Sequence, residues 1–409
     1  MRNRIFPVHI HFTLAILACI LSLAPNAGAQ SKYKVLYSFT GGTDGGGVYD
    51  SVVFDTKGNL YGTTTGGGAY GYGTVFELSP TTQGLWTETV LHSFPYPSSD
   101  GAEPNGNVIF DAAGNLYGTT QTAGANGRGT IFEMTPGSSG WTFNVLYNFG
   151  SQSGDGGSPS DGLTLDKAGN LYGTSGVVFE LSPGSGGWTD SILYTFSGGS
   201  DGAEPFAGVF LNPAGNLFGT TYRGGTTGAG VVYEVRHASS GWTESVLHSF
   251  SGGRDGAAPG WGQLVADGAG SLYGTTAVGG SGIGGCFGGG CGTIFKLTRG
   301  PHGGWVETIL YRFHAGAAGF SPQAGVVLDH SGNLYGTTLY GGSSSCGCGV
   351  VYKLAPGSSG TWTYSVLHEF VGTDGSQPVA DLTLHDGKVF GTTILGGPGG
   401  VGTVFELAP

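Results

Sequence analysis

Four cysteines, Cys286, Cys291, Cys346 and Cys348, fall in two Gly-rich stretches in the second half of the chain. Such thiols could bind metal or pair as disulfides. Their C-x4-C and C-x-C spacings are not the C-x2-C pairs of a structural zinc site. An even count in a chain that leaves the cytoplasm favours disulfides. Cys286–Cys291 could close a small loop. Cys346–Cys348 would form a tight ring, so pairing across the two stretches stays open.

The carboxylates recur in register. Asp55, Asp111, Asp166, Asp267 and Asp329 each open an Asp-x-x-Gly turn. One acid per turn is too few for a calcium loop, and an Asp that bonds its own turn is the expected role. A second set, Asp44, Asp100, Asp155, Asp201, Asp255 and Asp374, precedes Gly, with Ala318 in the sixth unit. His92, His248 and His368 alternate with Tyr37, Tyr147, Tyr194 and Tyr311 at one repeated position, which argues against ligation or catalysis there. Neither a His-Glu-x-x-His zinc helix nor a Gly-Lys-Ser/Thr phosphate loop occurs. No cofactor, metal or catalytic constellation is expected.

One position differs in every unit: Tyr49, Asn105, Ser160, Phe206, Trp261, Gln323 and Val379. Trp261 is the one tryptophan outside a set of six that starts a recurring strand. Side chains that differ against a constant framework are expected to ring a channel mouth. Aromatic and amide groups there could stack on and hydrogen-bond a carbohydrate, or a peptide or protein segment. The competing expectation is a plug of assorted side chains. Asp50, Asp161 and Asp381 flank the ring and would supply the paired acids of a polysaccharide-active enzyme.

The elements that must position these residues are repeats. Gly-Asn-Leu-Tyr-Gly-Thr-Thr, or a close variant, occurs seven times, first at Gly58–Thr64 and last at Gly387–Thr393. A period of this size signals a repeat architecture. Each unit reads as four strands, a to d, with period-2 alternation and Gly-rich turns. The last unit lacks strand d, and Tyr33–Phe39 has the missing sequence. The expected fold is therefore all-β: one domain over 30–409, a seven-bladed β-propeller of four-stranded antiparallel blades, closed by the N-terminal strand.

The recurring Gly-Thr-Thr-x-x-Gly-Gly, Gly-Thr-Val-Phe-Glu-Leu and Trp-Thr-x-x-Val-Leu-Tyr-Ser-Phe segments resemble the GloVer tandem-repeat family of exported bacterial "choice-of-anchor" proteins. The resemblance covers roughly residues 33–409 and implies fold and export, not an activity. Members of that family often end in a sorting anchor; Pro409 follows no apolar tail, so no such anchor is expected here.

Residues 1–29 read as a secretory signal peptide. Arg2 and Arg4 precede an apolar core, and Ala27-Gly28-Ala29 is a cleavage motif. A lipobox ending at Cys19 is the less favoured alternative. The mature chain is expected to carry no transmembrane segment. With 27 acidic against 15 basic residues, the formal charge is −12, a poor match for nucleic acid. The expectation is a secreted, periplasmic or cell-surface binding or interaction module. The alternatives are a polysaccharide hydrolase or lyase and a structural surface protein.

Overall fold

The computed structural model describes residues 32–280, 286 and 289–409. The signal peptide over 1–29, its cleavage after Ala29 and the lipobox at Cys19 lie outside the described residues. Among the described residues no helix is long and apolar enough to cross a membrane.

The described residues form seven four-stranded antiparallel sheets. Blade 1 runs a to d as Val53–Phe54, Leu60–Thr64, Thr74–Pro80 and Trp86–Ser93. Blades 2 to 6 repeat that order. Blade 7 takes strands a to c from Thr383–His385, Lys388–Thr393 and Thr403–Ala408, and strand d from Lys32–Ser38. Tyr33 stands opposite Leu407 and Tyr37 opposite Val404. The propeller is thus closed by its two ends.

The repeated heptapeptide has a physical reason at each position. Its Leu, which is Val389 in blade 7, is buried in every blade; Leu60, Leu116 and Leu171 have no exposed surface. Its second Gly sits where the strand-c aromatic crosses: a Cβ on Gly62 would lie 2.7 Å from Phe76 Cζ. Its second Thr pairs with the Thr that opens strand c, as in Thr64–Thr74 and Thr120–Thr130 at 2.9 Å. Its first Thr reaches the next blade: Thr63 donates to the Gly106 carbonyl at 3.3 Å and Thr392 to that of Asp50 at 3.0 Å.

The core lies between blades. One cluster joins Tyr61 and Val75 of blade 1 to Phe94, Val108 and Phe132 around blade 2. Another joins Leu36, Phe390 and Val404 of blade 7 to Leu60 and Phe76 of blade 1. Each fully buried Phe or Leu contributes roughly 1.5–3 kcal/mol. The tryptophans opening strand d lean on the preceding blade: Trp141 meets Tyr61 at 5.8 Å and Trp188 meets Tyr117 at 6.2 Å.

Both aspartate sets are bound within turns. The Asp55 carboxylate accepts from the backbone N–H of Lys57 and Asn59 at 2.8 and 2.9 Å and from the Tyr61 hydroxyl at 3.3 Å. Asp44 accepts from the Thr40 N–H at 2.8 Å and the Tyr37 hydroxyl at 3.2 Å. Tyr and His interchange at that strand-d position because both face this aspartate. In the sixth unit the Ala318 carbonyl instead accepts from Tyr364 at 2.5 Å.

Candidate functional site

The segments entering strand a converge on one mouth of the channel. There they enclose a pocket of about 320 Å³. Tyr49, Asn105, Ser160, Trp261, Gln323 and Val379 all line it. Phe206 does not line it but supports its wall, stacking on Trp261 at 5.2 Å. Tyr222 closes on the same indole edge-on at 5.6 Å. Trp261 and Tyr49 remain 45% and 44% exposed, which leaves ring surface for a ligand. A second cavity of about 310 Å³ adjoins the first, sharing Tyr49 and Asn105 and adding Glu103 and Gln121.

A one-residue insertion accounts for Trp261. Counting back from the buried strand-a residue, unit five has one residue more than unit two after the Pro, namely Gly260. Its Cα lies against strand b's exit, where a Cβ would come within 2.7 Å of the Tyr222 backbone. At this seam the heptapeptide's first Thr, Thr220, has no hydrogen-bond partner among the described residues. The bond that ties other blades together gives way as the chain bulges and presents the indole.

The floor is acidic. Asp50 accepts from the N–H of Ser51 and of Asn107, both at 2.6 Å. Asp161 accepts from Gly162 at 2.6 Å and Gly208 at 2.5 Å. Asp381 accepts from Gly325 at 2.5 Å and Gln263 at 3.3 Å. Each acid therefore binds backbone from a neighbouring blade, and all three line the pocket. Burial is the main cause that lifts their proton affinity: Asp161 to about 6 and Asp381 to about 7, with the charge of Asp161 adding to the latter. Asp50 rises well above the carboxylate range for the same two reasons. Near neutral pH this floor holds fewer than three negative charges and can donate as well as accept.

Four lining residues escaped the sequence reading: Leu339, Gln377, Ala380 and Ile394. Leu339 and Ile394 directly follow the heptapeptide, at a position that also holds Thr65, Gln121, Tyr222 and Ala277. Variability beside a constant motif was the available signal. Gln377 belongs to a ring whose sequence signal was a Pro that follows it in six of the seven units. Two residues before the variable ring position, or three in unit five, the backbone is left-handed in all seven units. The angle φ is +70° at Gly47, then +55° at Glu103, +52° at Ser158, +60° at Glu204, +54° at Ala258, +57° at Ser321 and +57° at Gln377. Six of these carry side chains, at about 1–3 kcal/mol of strain each. Bonds on both sides enforce it: Gln377 donates to the Cys348 carbonyl at 2.9 Å and accepts from Ile394 at 3.3 Å.

The cysteines pair within their own loops, Cys286 with Cys291 and Cys346 with Cys348, each at a Cα separation of 5.2 Å. Pairing across the two loops does not form. Cys346–Cys348 fixes the loop whose Cys348 carbonyl holds Gln377 at the mouth.

Among solved structures, a presumed 6-phosphogluconolactonase from Bacteroides uniformis superposes with a TM-score of 0.51 at 13% identity, covering 81% of this chain and 88% of that one. A presumed oxidoreductase (glucose dehydrogenase) from Thermus thermophilus has a TM-score of 0.40 at 12% identity, covering 92% and 99%. A luciferin-regenerating enzyme has 0.43 at 10% identity, covering 93% and 95%. At these identities the likeness is one of fold. No curated protein matches. The Gloeobacter/Verrucomicrobia repeat model matches residues 19–175, 174–289 and 286–409. These matches span the tandem repeats end to end: the chain belongs to the Gloeobacter/Verrucomicrobia repeat family.

Proposed function

We propose that the chain is a binding module that works outside the cytoplasm and takes a carbohydrate at the channel mouth. The observation that carries this reading is the half-exposed indole of Trp261, braced by Phe206, facing Asn105, Gln323 and Gln377 across one pocket. A sugar presents an apolar C–H face and a rim of hydroxyls. An aromatic shelf with nearby amides and carboxyls matches both. Two intraloop disulfides, together with the expected leader over residues 1–29, support action outside the reducing cytoplasm. The open pocket favours binding over a purely structural role.

A second reading, a polysaccharide-active enzyme, draws on Asp50, Asp161 and Asp381, whose raised proton affinities suit general acid catalysis. Their shared engagement with backbone amides favours the binding role.

Titration calorimetry of the mature protein against neutral oligosaccharides tests both readings. Trp261→Ala is expected to weaken binding about tenfold or more, ~1.4 kcal/mol, while the protein still melts cooperatively. Absence of heat with every oligosaccharide would overturn the carbohydrate reading and turn attention to peptides. Appearance of new reducing ends, abolished by Asp161→Asn, would establish the enzyme instead.

A further inference from the structure

The seven seams between outermost strands serve as controls for one another. At each seam the repeated His/Tyr position of one strand d faces the third residue of the next. His92 stacks on Phe143 at 4.0 Å and His368 on Tyr33 at 3.6 Å. Tyr311 stacks on Tyr364 at 4.1 Å. Tyr147 donates to Asp190 at 3.3 Å, and Tyr37 and Tyr194 feel the charges of Glu88 and Glu244. Histidine thus meets an aromatic ring, and tyrosine meets a carboxylate or a second ring.

The seam between blades 4 and 5 breaks the pattern. There His248 meets Glu307 and also faces the turn aspartate Asp255. His248 Nε2 lies 3.7 Å from Asp255 Oδ2 and 3.7 Å from Glu307 Oε1. The three ligand atoms lie within 4.8 Å of one another. At 3.7 Å neither contact is a hydrogen bond. His248 Nε2 and Glu307 Oε1 are both buried with no hydrogen-bond partner among the described residues. Other seams carry such an atom singly, at Glu88, His92, Asp190 or Glu244. Among the described residues, only here do an imidazole nitrogen and a carboxylate oxygen stand orphaned face to face.

We infer that His248, Asp255 and Glu307 form a binding site for a first-row divalent cation of the zinc class. One imidazole nitrogen and two carboxylate oxygens are suitable ligands for it. Bonds of about 2.0–2.2 Å would need the three atoms to draw in by a few tenths of an ångström. Asp255 is already oriented, since the Ser251 N–H donates to it at 2.7 Å and the Ser251 hydroxyl to its other oxygen. His248 lies on strand Gly241–Ser249 and Glu307 on strand Trp305–Arg312. The ion would therefore clip two blades together. Arg312, on the same edge, acts on Glu307 with opposing charge and tempers the affinity.

The test uses untagged mature protein, stripped with chelator and desalted. Calorimetry with Zn²⁺ and absorption with Co²⁺ are expected to show one equivalent bound, with a melting temperature that rises with metal concentration. E307F reproduces the His92–Phe143 pair and H248Y the Tyr194–Glu244 pair, so both are compatible with blades this chain already builds. Each is expected to melt cooperatively and to weaken metal binding by more than about tenfold. H92Y, at the seam between blades 1 and 2, is expected to leave it unchanged. No binding by the parent, or equal binding by E307F and H248Y, would overturn the site. Should either variant misfold, the isosteric E307Q carries the same expectation.

Discussion

At the scale of single residues, the repeat's glycines divide into two kinds with different costs. Gly62 lies in strand b under Phe76, and a Cβ there would sit 2.7 Å from the ring. Gly62→Ala is expected to destabilise the fold by about 1–3 kcal/mol through overpacking, read from the midpoint of denaturant unfolding. Gly58, in the turn before it, has φ of +87° but open space around it. Ala there costs only the left-handed backbone, about 1 kcal/mol. A larger loss at Gly58 than at Gly62 would reverse the assignment. The sequence shows both glycines as equally constant. Only the crossing of the strand-c ring, a contact 14 positions away, distinguishes them. Trp261 was legible for the opposite reason: it departs from a constant framework. Gln377 was harder to read, because its left-handed backbone is imposed by the Cys348 carbonyl of the preceding blade and the Ile394 N–H of its own, contacts that the Pro following it does not reveal.

At the scale of elements, the closing strand shows what repetition makes readable. A missing strand d at one end and a surplus one at the other required no knowledge of side-chain contacts. Lys32–Ser38 pairs with Thr403–Ala408, and Leu36 and Phe39 are buried against blade 1. Phe39→Ala is expected to cost about 3–5 kcal/mol, as for other buried phenylalanines. Deleting 32–39 is expected to replace the single calorimetric transition with broad, early unfolding, since blades 7 and 1 would both lose an interface. A deletion variant that still melts in one sharp transition would show that closure is not what holds the ring. The seams between strands d were less readable. Which residue meets His92 or Tyr147 depends on register between blades, and neighbouring units differ in length from 46 to 62 residues. The repeated His/Tyr position could be found by alignment of units; its partner three residues into the next strand could not.

For the whole molecule, those seams and the mouth floor set the response to pH. Burial, helped in each case by a neighbouring aspartate, pushes Glu88 and Glu244 up to about 7 and Asp190 to about 6. Asp161 and Asp381 stand at about 6 and 7, again mainly through burial. All five lie above the roughly 4 expected of an unfolded chain. Acids raised on folding give stability that is complete below pH ~4 and is lost as pH rises through 6 and 7. His92 and His248, held below their usual value chiefly by burial, oppose this over part of the window, but they are outnumbered by these acids and by Glu307, which burial also raises to about 7. Asp201, Asp329 and Asp374 remain partly buried, yet donors hold them below the usual range, so their contribution disappears only as pH falls below about 4. The melting temperature is therefore expected to peak near pH ~4–5 and to fall by pH ~8. Glu88→Gln with Glu244→Gln, which removes two of the five titrations, is expected to flatten the fall between about pH 5 and 8. A melting temperature that rises across that window, or a double variant with the parent's slope, would mean that these seams do not hold their protons. The same protons matter to the proposed ligand: with Asp161 and Asp381 partly protonated, the mouth can offer a sugar hydroxyl both a donor and an acceptor. Oligosaccharide affinity is therefore expected to be greater at about pH 6 than at about pH 9, where Asp161 and Asp381 are charged.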